Sequence, residues 1–95
     1  MPRKSKSKKK EEYDKLIQEV IARLDRISQN RNVPRNIRKA TTDAIDVLRE
    51  ENLSYGVRSS KAMSILNEII NDINMPFPTR SELLLVVGIL EKIKD

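Results

Sequence analysis

The sequence predicts an all-α fold of four helices arranged as two repeated helical hairpins, either a pair of HEAT-like repeats or a four-helix bundle. Three observations indicate this class. Apolar residues recur at intervals of three and four in four segments, no segment shows the alternation of a half-buried strand, and the second half of the chain repeats the first at one fixed offset. A chain of 95 residues is expected to form one small domain.

The internal repeat matches both apolar positions and turn residues. The identical pairs are Leu24 and Leu66, Ile27 and Ile69, Asn32 and Asn74, Pro34 and Pro76, Arg38 and Arg80, and Leu48 and Leu90. Each half therefore predicts a helix, a short turn and a second helix. We assign residues 1–12 to a disordered basic tail and residues 13–95 to the four-helix domain, with repeat one at about 13–51 and repeat two at about 54–94.

The first unit begins with a helix whose apolar residues fall on one face. These residues are Leu16, Val20, Leu24 and Ile27. The turn covers residues 30–32, and Pro34 suits the start of the second helix because its ring fixes φ at a helical value. The apolar face of this helix ends at Leu48, and the break at residues 52–54 separates the two units.

The second unit repeats this plan. Ser54 is a suitable N-cap for the third helix because its hydroxyl can accept a backbone N–H. The apolar stripe of that helix is Ala62, Ile65 or Leu66, Ile69 and Ile73. Residues 72–74 form the turn. Pro76 and Pro78 place the start of the fourth helix, which is predicted to run through Ile93, because a proline deeper inside a helix costs roughly 3 kcal/mol.

The composition argues against the common catalytic and metal-binding chemistries. The chain has no cysteine, no histidine and two glycines, so a thiolate or imidazole site and a glycine-rich phosphate loop are ruled out. We therefore predict a non-catalytic protein with no cofactor, no metal and no small-molecule substrate. The longest apolar stretch, residues 83–90, is too short to span a bilayer, and the charged N-terminus does not resemble a secretory signal. These features predict a cytoplasmic protein without a membrane partner.

Positive charge is concentrated at the N-terminus. The six basic side chains of residues 1–10 are Arg3, Lys4, Lys6, Lys8, Lys9 and Lys10, and no acid accompanies them. The rest of the chain carries 13 basic and 14 acidic side chains, so the net charge of +5 comes from this segment. Such a block is typical of an arm that binds phosphate groups, with a solubilising end as the alternative.

A second basic cluster is expected at the turn of the first hairpin. Residues 23–39 hold six basic side chains and one acid, whereas the aligned residues 65–81 hold one basic side chain and two acids. The five basic residues that the second unit lacks are Arg23, Arg26, Arg31, Arg35 and Lys39. Because the planar guanidinium suits phosphate oxygens, this cluster and the tail together predict contacts with the phosphate backbone of RNA. Ordinary solvated charge is the alternative.

Arg38 and Arg80 are shared by both units, so we expect a structural role for them. Each stem would cover the core, with the guanidinium in water or paired to an acid. The leading interpretation of the chain is a non-catalytic, RNA-associated protein bound to the ribosome. The alternative is a helical protein interaction module or homodimer in which the charge serves solubility alone.

The fourth predicted helix is apolar all round from Leu83 to Leu90, whereas a surface helix should have a polar side. Either the helix is central to the core, or part of it contacts a protein neighbour or a second copy. The residues assigned to such an interface are Leu84, Leu85, Gly88 and Ile89.

Three stretches of the chain resemble a known family. They are residues 30–40 (Asn-Arg-Asn-Val-Pro-Arg-Asn-Ile-Arg-Lys-Ala), the Leu53–Ser54 break, and residues 65–69 together with Asn74, Met75 and Pro76. These stretches resemble the archaeal uncharacterised protein family 0147. The resemblance covers about residues 16–93 and implies a small all-α cytosolic protein, with no activity and no functional residues attached. The basic tail is interpreted as an extension beyond the usual start of the family.

Overall fold

The computed structural model describes the backbone of residues 2–95 and the side chains of residues 8–95. It contains the helices α1 (Pro2–Ser28), α2 (Arg35–Leu48), α3 (Tyr55–Ile69) and α4 (Phe77–Leu90), and residues 2–95 include no strand. The predicted all-α fold with four helices is confirmed. The first and last residues of α4 align in the repeat with the first and last residues of α2, so the repeat of the sequence corresponds to a structural repeat.

The four helices close into a bundle. α1 packs against α2 and α4, and α3 packs against the same two helices, so each helix has two neighbours. The core that they enclose is built from both units, and its fully buried side chains include Val20, Leu24, Ile37, Leu48, Leu66, Leu83 and Leu90. Burying a side chain of this size stabilises the fold by about 1.5 to 3 kcal/mol. The contact between α1 and α4 favours the bundle over the HEAT-like arrangement.

The helices α2 and α3 form the most extensively packed pair. Ala44 on α2 and Ala62 on α3 are fully buried, and Val86 on α4 and Val20 on α1 are the residues aligned with them. Because the distance between helix axes depends on side-chain size, alanine at these positions lets α2 and α3 approach closely.

Two helix ends differ from the sequence prediction. Ile73 was assigned to the buried stripe of α3, but α3 ends at Ile69 and Ile73 is 90% exposed in the following turn. The helix α4 ends at Leu90 instead of Ile93, although Ile93 is still buried after a short turn. Apolar spacing identified the burial of Ile93 correctly, but spacing does not report where the backbone leaves the helix.

All three turns between helices have the same design. The first residue of each turn accepts a backbone N–H from the asparagine two residues later through its side-chain oxygen. These contacts are Asn32 N–H to Asn30 at 2.9 Å, Asn52 N–H to Glu50 at 3.4 Å, and Asn74 N–H to Asp72 at 2.8 Å. A side chain that satisfies a nearby N–H is the usual way of stabilising a tight turn. The α2–α3 turn is therefore a third copy of a pattern that the sequence comparison found twice.

An arginine one turn into each following helix completes this design. Arg38 Nε donates to the Val33 carbonyl at 3.0 Å, and Arg58 Nε donates to the Leu53 carbonyl at 2.8 Å. In the last turn Arg80 Nη2 donates to the Asp72 carbonyl at 2.8 Å. Each half-buried arginine thus donates to a carbonyl of the preceding turn. These contacts agree with the structural role expected for Arg38 and Arg80.

Candidate functional site

The basic residues singled out in the sequence lie on two separate surfaces. Lys8, Lys9 and Lys10 are exposed on the N-terminal part of α1, whereas Arg31 follows the C-terminal end of the same helix. At about 1.5 Å of rise per residue, the helix between residues 8 and 28 is about 30 Å long. The tail and the first-hairpin arginines therefore do not form one surface. We call them the tail-end surface (Lys8, Lys9 and Lys10) and the turn-end surface (Arg26, Arg31 and Arg35).

The tail segment is helical in the part that the structure describes. α1 begins at Pro2, and the disorder of residues 1–12 stays a prediction. Lysine and glutamate both favour helices, and Lys8 and Glu12 are four residues apart, a spacing at which opposite charges attract. The side chains of Arg3, Lys4 and Lys6, which were also assigned to the phosphate contact, lie outside the described residues.

Arg23 is held by two carboxylates and joins α1 to α4. Its Nη1 lies 2.8 Å from Glu82 Oε1 on α4, and its Nε lies 3.3 Å from Glu19 Oε2. The hydrogen bond to Glu82 raises the pKa of Arg23 above its ordinary value, and the negative charges of Glu82 and Glu19 act in the same direction. This arginine stabilises the bundle and is a poor candidate for phosphate binding.

The other four members of the first-hairpin cluster remain exposed. Lys39 Nζ lies 3.3 Å from Asp43 Oδ2, but its side chain is 74% exposed, so this pair is weak. Arg26, Arg31 and Arg35 are exposed and have no ion pair or side-chain hydrogen bond with any residue whose side chain is described. The turn-end surface is therefore defined by these three arginines.

The tail end contains a cleft that the sequence analysis missed. The cleft has a volume of about 260 Å³, and its lining residues are Lys9, Lys10, Tyr13, Tyr55, Lys94 and Asp95. Three of these side chains are cationic and two are aromatic. The sequence did hold a signal, because Tyr13 and Tyr55 align at the offset of the repeat and form another of its identical pairs.

The tyrosines of this tail-end cleft are fixed in place. Their ring centroids are 5.7 Å apart with an interplanar angle of 58°, a tilted arrangement favoured by aromatic pairs. The Tyr55 hydroxyl donates to Asp14 Oδ1 at 2.7 Å, and the Arg58 guanidinium lies 4.8 Å from the Tyr55 ring centroid. Burial and the bond to Asp14 raise the pKa of Tyr55, so its hydroxyl keeps the proton that it donates.

Asp95 closes one side of the same cleft by capping α3. Its carboxylate accepts hydrogen bonds from the Ser54 hydroxyl and from the Gly56 N–H, each at 2.8 Å. Ser54 is the N-cap of α3, as the sequence predicted, because its Oγ accepts the Val57 N–H at 3.3 Å. A carboxylate is favourable at a helix N-terminus. The cap therefore holds the segment with Lys94 beside the two tyrosines.

The residues predicted for a protein interface divide between surface and core. Leu84 and Leu85 are 56% and 48% exposed, and Gly88 is exposed as well. Ile89 is 7% exposed and belongs to the core, so its assignment to an interface was wrong. Phe77, which is 78% exposed on the same helix, was missed because it lies outside the continuous apolar run that drew attention to this helix.

The described residues provide few other candidate sites. Among the side chains of residues 8–95, no three acidic residues lie close enough together to hold a metal ion. None of the described helices has the length and apolar character required to cross a membrane.

Removing the carboxylate of Asp72 should make stability less dependent on acid pH. The Asn36 amide donates to Asp72 Oδ2 at 2.9 Å and joins the start of α2 to the turn between α3 and α4. This bond and the Asn74 N–H lower the pKa of Asp72 below its ordinary value of 3.8. A lowered pKa stabilises the fold above pH 3.8, and this stabilisation is lost as the pH falls through the folded value. We expect Asp72→Asn to melt at a lower temperature than the parent at neutral pH, with the gap closing towards about pH 2.

The control for this experiment is Asp46→Asn, at an exposed position of α2. It removes the same charge without removing the bond between α2 and the turn that follows α3. Thermal melts of the three proteins across the acid range provide the comparison. A gap between Asp72→Asn and the parent that stays constant with pH would contradict the assignment.

Comparison with known proteins places the chain in a family. The model of the uncharacterised protein family UPF0147 matches residues 4–93. A UPF0147 protein of Methanopyrus kandleri is 42% identical over 85 residues, covering 88% of this chain and 82% of the relative. A UPF0147 protein of Sulfurisphaera tokodaii is 47% identical over 79 residues, covering 83% of this chain and 89% of the relative. None of these names states an activity.

A solved structure agrees with this assignment. The crystal structure of a UPF0147 protein from Thermoplasma acidophilum superposes with a TM-score of 0.79 at 37% identity, covering 83% of this chain and 93% of that one. The family match begins at residue 4, so most of the basic segment lies within the matched span and is not the extension that the sequence analysis inferred. The chain belongs to the uncharacterised protein family UPF0147.

Proposed function

We propose that this protein binds RNA through its tail end, by contacts with the phosphate backbone. The observation that carries this proposal is the tail-end cleft, in which Lys9, Lys10 and Lys94 surround the rings of Tyr13 and Tyr55. Cations beside aromatic rings are the usual components of surfaces that bind single-stranded nucleic acid, because the cations attract phosphates and the rings stack on bases.

The charge distribution supports the same proposal. The first ten residues carry six basic side chains without an acid, and the rest of the chain is close to neutral. Neutralising phosphates with lysine releases counterions from the nucleic acid and so gives an affinity that falls with salt. RNA is favoured over duplex DNA because the loops and bulges of RNA present unstacked bases that a tyrosine can reach.

The turn-end surface supplies a second set of phosphate contacts in this proposal. Arg31 and Arg35 lie about 30 Å from Lys8 along the axis of α1. An RNA segment that reaches both ends would therefore lie along the 50 Å long axis of the molecule. Contacts of this kind give affinity with little sequence preference.

Neutralising two lysines of the cleft should weaken RNA binding and reduce its salt dependence. We expect Lys9→Gln with Lys10→Gln to lower the affinity for single-stranded RNA about tenfold at low salt, and to reduce the slope of log affinity against log salt by about 1.4, because two phosphate contacts are lost. Fluorescence anisotropy with a labelled RNA over a series of salt concentrations measures both quantities.

The matched control is Lys15→Gln with Lys61→Gln. Both lysines are exposed and lie outside the tail-end cleft, so this variant has the same net charge as the cleft variant. We expect it to keep most of the affinity. An equal loss in the two variants would show that net charge alone attracts RNA, and unchanged affinity in the cleft variant would contradict the proposed site.

A further inference from the structure

An apolar strip runs along the solvent-facing side of α4. We call it the α4 outer strip and define it as Phe77, Ser81, Leu84, Leu85 and Gly88, whose spacing of three and four places them on one helix face. All five residues are exposed, with 78% of Phe77, 56% of Leu84 and 48% of Leu85 accessible. Single exposed apolar residues are ordinary, but a continuous strip on one helix is a mark of an interaction surface.

The internal repeat provides a control for this strip. The aligned residues on α2 are all polar or charged, and in order they are Arg35, Lys39, Thr42, Asp43 and Asp46. The helices α2 and α4 have the same length and the same place in their hairpins. The fold therefore accepts a charged outer face at this place, and the apolar face of α4 is not a requirement of the bundle.

We propose that the α4 outer strip binds the same strip of a second copy of this chain, with the two α4 helices antiparallel across a two-fold axis. The large and small residues of the strip are placed so that the strip of one copy can fit against the strip of another. Phe77 stands at one end and Gly88 at the other. Apart from the chain neighbours of Gly88 and the backbone of its own helix, no described atom lies within 4 Å of the place where a Cβ of Gly88 would be. In an antiparallel pairing, the Phe77 ring of each copy lies over Gly88 of the other copy. A two-fold axis makes these two contacts equivalent.

Charges beside the strip fit the same pairing. Arg26 is exposed on the neighbouring helix α1 and has no ion pair with the described side chains. Glu19 lies about two turns earlier on the same helix, where its Oε2 is 3.3 Å from Arg23 Nε and 47% of its side chain is exposed to a second partner. An antiparallel second copy brings Arg26 of each chain opposite Glu19 of the other. Opposite charges at the rim of an apolar centre are the usual composition of such an interface.

One axis position satisfies both pairings. The point midway between Phe77 and Gly88 lies at Glu82 on α4. The point midway between Glu19 and Arg26 lies next to Arg23 on α1. Arg23 Nη1 lies 2.8 Å from Glu82 Oε1, so the two midpoints lie close together on the molecule. Size and charge therefore select the same partner and the same orientation.

The mass in solution tests this proposal. Sedimentation equilibrium of the full chain over a wide concentration range should give twice the 11.0 kDa chain mass at the upper end. Leu84→Glu places a charge on the strip and should give a monomer, with the helical circular dichroism of the parent because Leu84 is largely outside the core. Thr42→Glu is the matched control, since Thr42 is the aligned exposed residue of α2, and it should remain a dimer.

Cysteine cross-linking tests the orientation. The chain has no cysteine of its own, so Phe77→Cys and Gly88→Cys introduce single thiols. Under oxidation, a mixture of the two variants should form a disulfide-linked pair, whereas each variant alone should stay largely unlinked. Linkage of Phe77→Cys to itself, a parent that is monomeric at every concentration, or a Leu84→Glu protein that still dimerises would each overturn the proposal. All these measurements are made without RNA. A negative result would therefore contradict the dimer without bearing on the proposal of RNA binding.

Discussion

Replacing Leu66 with alanine is expected to lower the free energy of unfolding by about 3 to 4 kcal/mol. Leu66 is fully buried on α3, and the residue aligned with it in the first repeat unit, Leu24, is fully buried on α1. Each leucine is therefore a core residue of its own repeat unit. The loss combines the transfer free energy of the deleted carbons with the cost of the cavity that remains. A small domain has a total stability of about 5 to 15 kcal/mol, so this change removes a large part of it.

Chemical denaturation followed by circular dichroism measures this effect. The control is Ile73→Ala, which deletes the same number of carbon atoms at a residue that is 90% exposed. We expect that variant to change the stability by less than about 0.5 kcal/mol. Similar losses in the two variants would mean that Leu66 is not enclosed as the structure shows.

Enlarging Ala62 is expected to have the second largest effect, a destabilisation of about 1 to 3 kcal/mol for Ala62→Leu. Ala62 has no exposed surface and lies between α3 and α2, where the helices pack most extensively. A leucine there has no space unless the two helices move apart. That movement would weaken contacts along the whole pair, including those of Ala44 on the facing helix.

The control for this substitution is Ser64→Leu, two residues further along α3 at an exposed position. It adds a side chain of the same kind where solvent can accommodate it. We expect its midpoint of denaturation to match that of the parent closely. If Ala62→Leu were equally well tolerated, the small residues of α2 and α3 would not determine the spacing of the pair.

Helix number and helix order could be predicted from the sequence because they depend on local signals. The prolines and the Ser54 cap identified the helix starts correctly, since a fixed φ and a side-chain oxygen act on the adjacent backbone. The position of Ile73 could not be predicted in this way. Apolar spacing continues past the end of α3, but the chain has already left the helix at Ile69, and the Asp72 side chain accepts the Asn74 N–H in the following turn.

The candidate sites depended on long-range contacts and were predicted less well. One partner of Arg23 is Glu82, far along the chain on another helix, and no local signal predicts that contact. The other partner, Glu19, lies four residues earlier on α1 and is the one local difference from exposed Arg26, which has Ala22 at that position. Similarly, the separation of the two basic surfaces follows from the uninterrupted length of α1. The tyrosine pair could have been found, because the repeat that aligned the prolines also aligns Tyr13 with Tyr55.

The closed ring of helices has a consequence for the way the chain reaches this structure. Three of the main pairings, α1 with α2, α2 with α3 and α3 with α4, join segments that follow each other directly. Chains whose contacts are close in sequence fold quickly, because little loop entropy is lost before each contact forms. The meeting of α1 with α4 is the one main pairing that spans most of the chain. Arg23 and Glu82 attract each other at this junction, so electrostatics assists the step with the highest entropic cost.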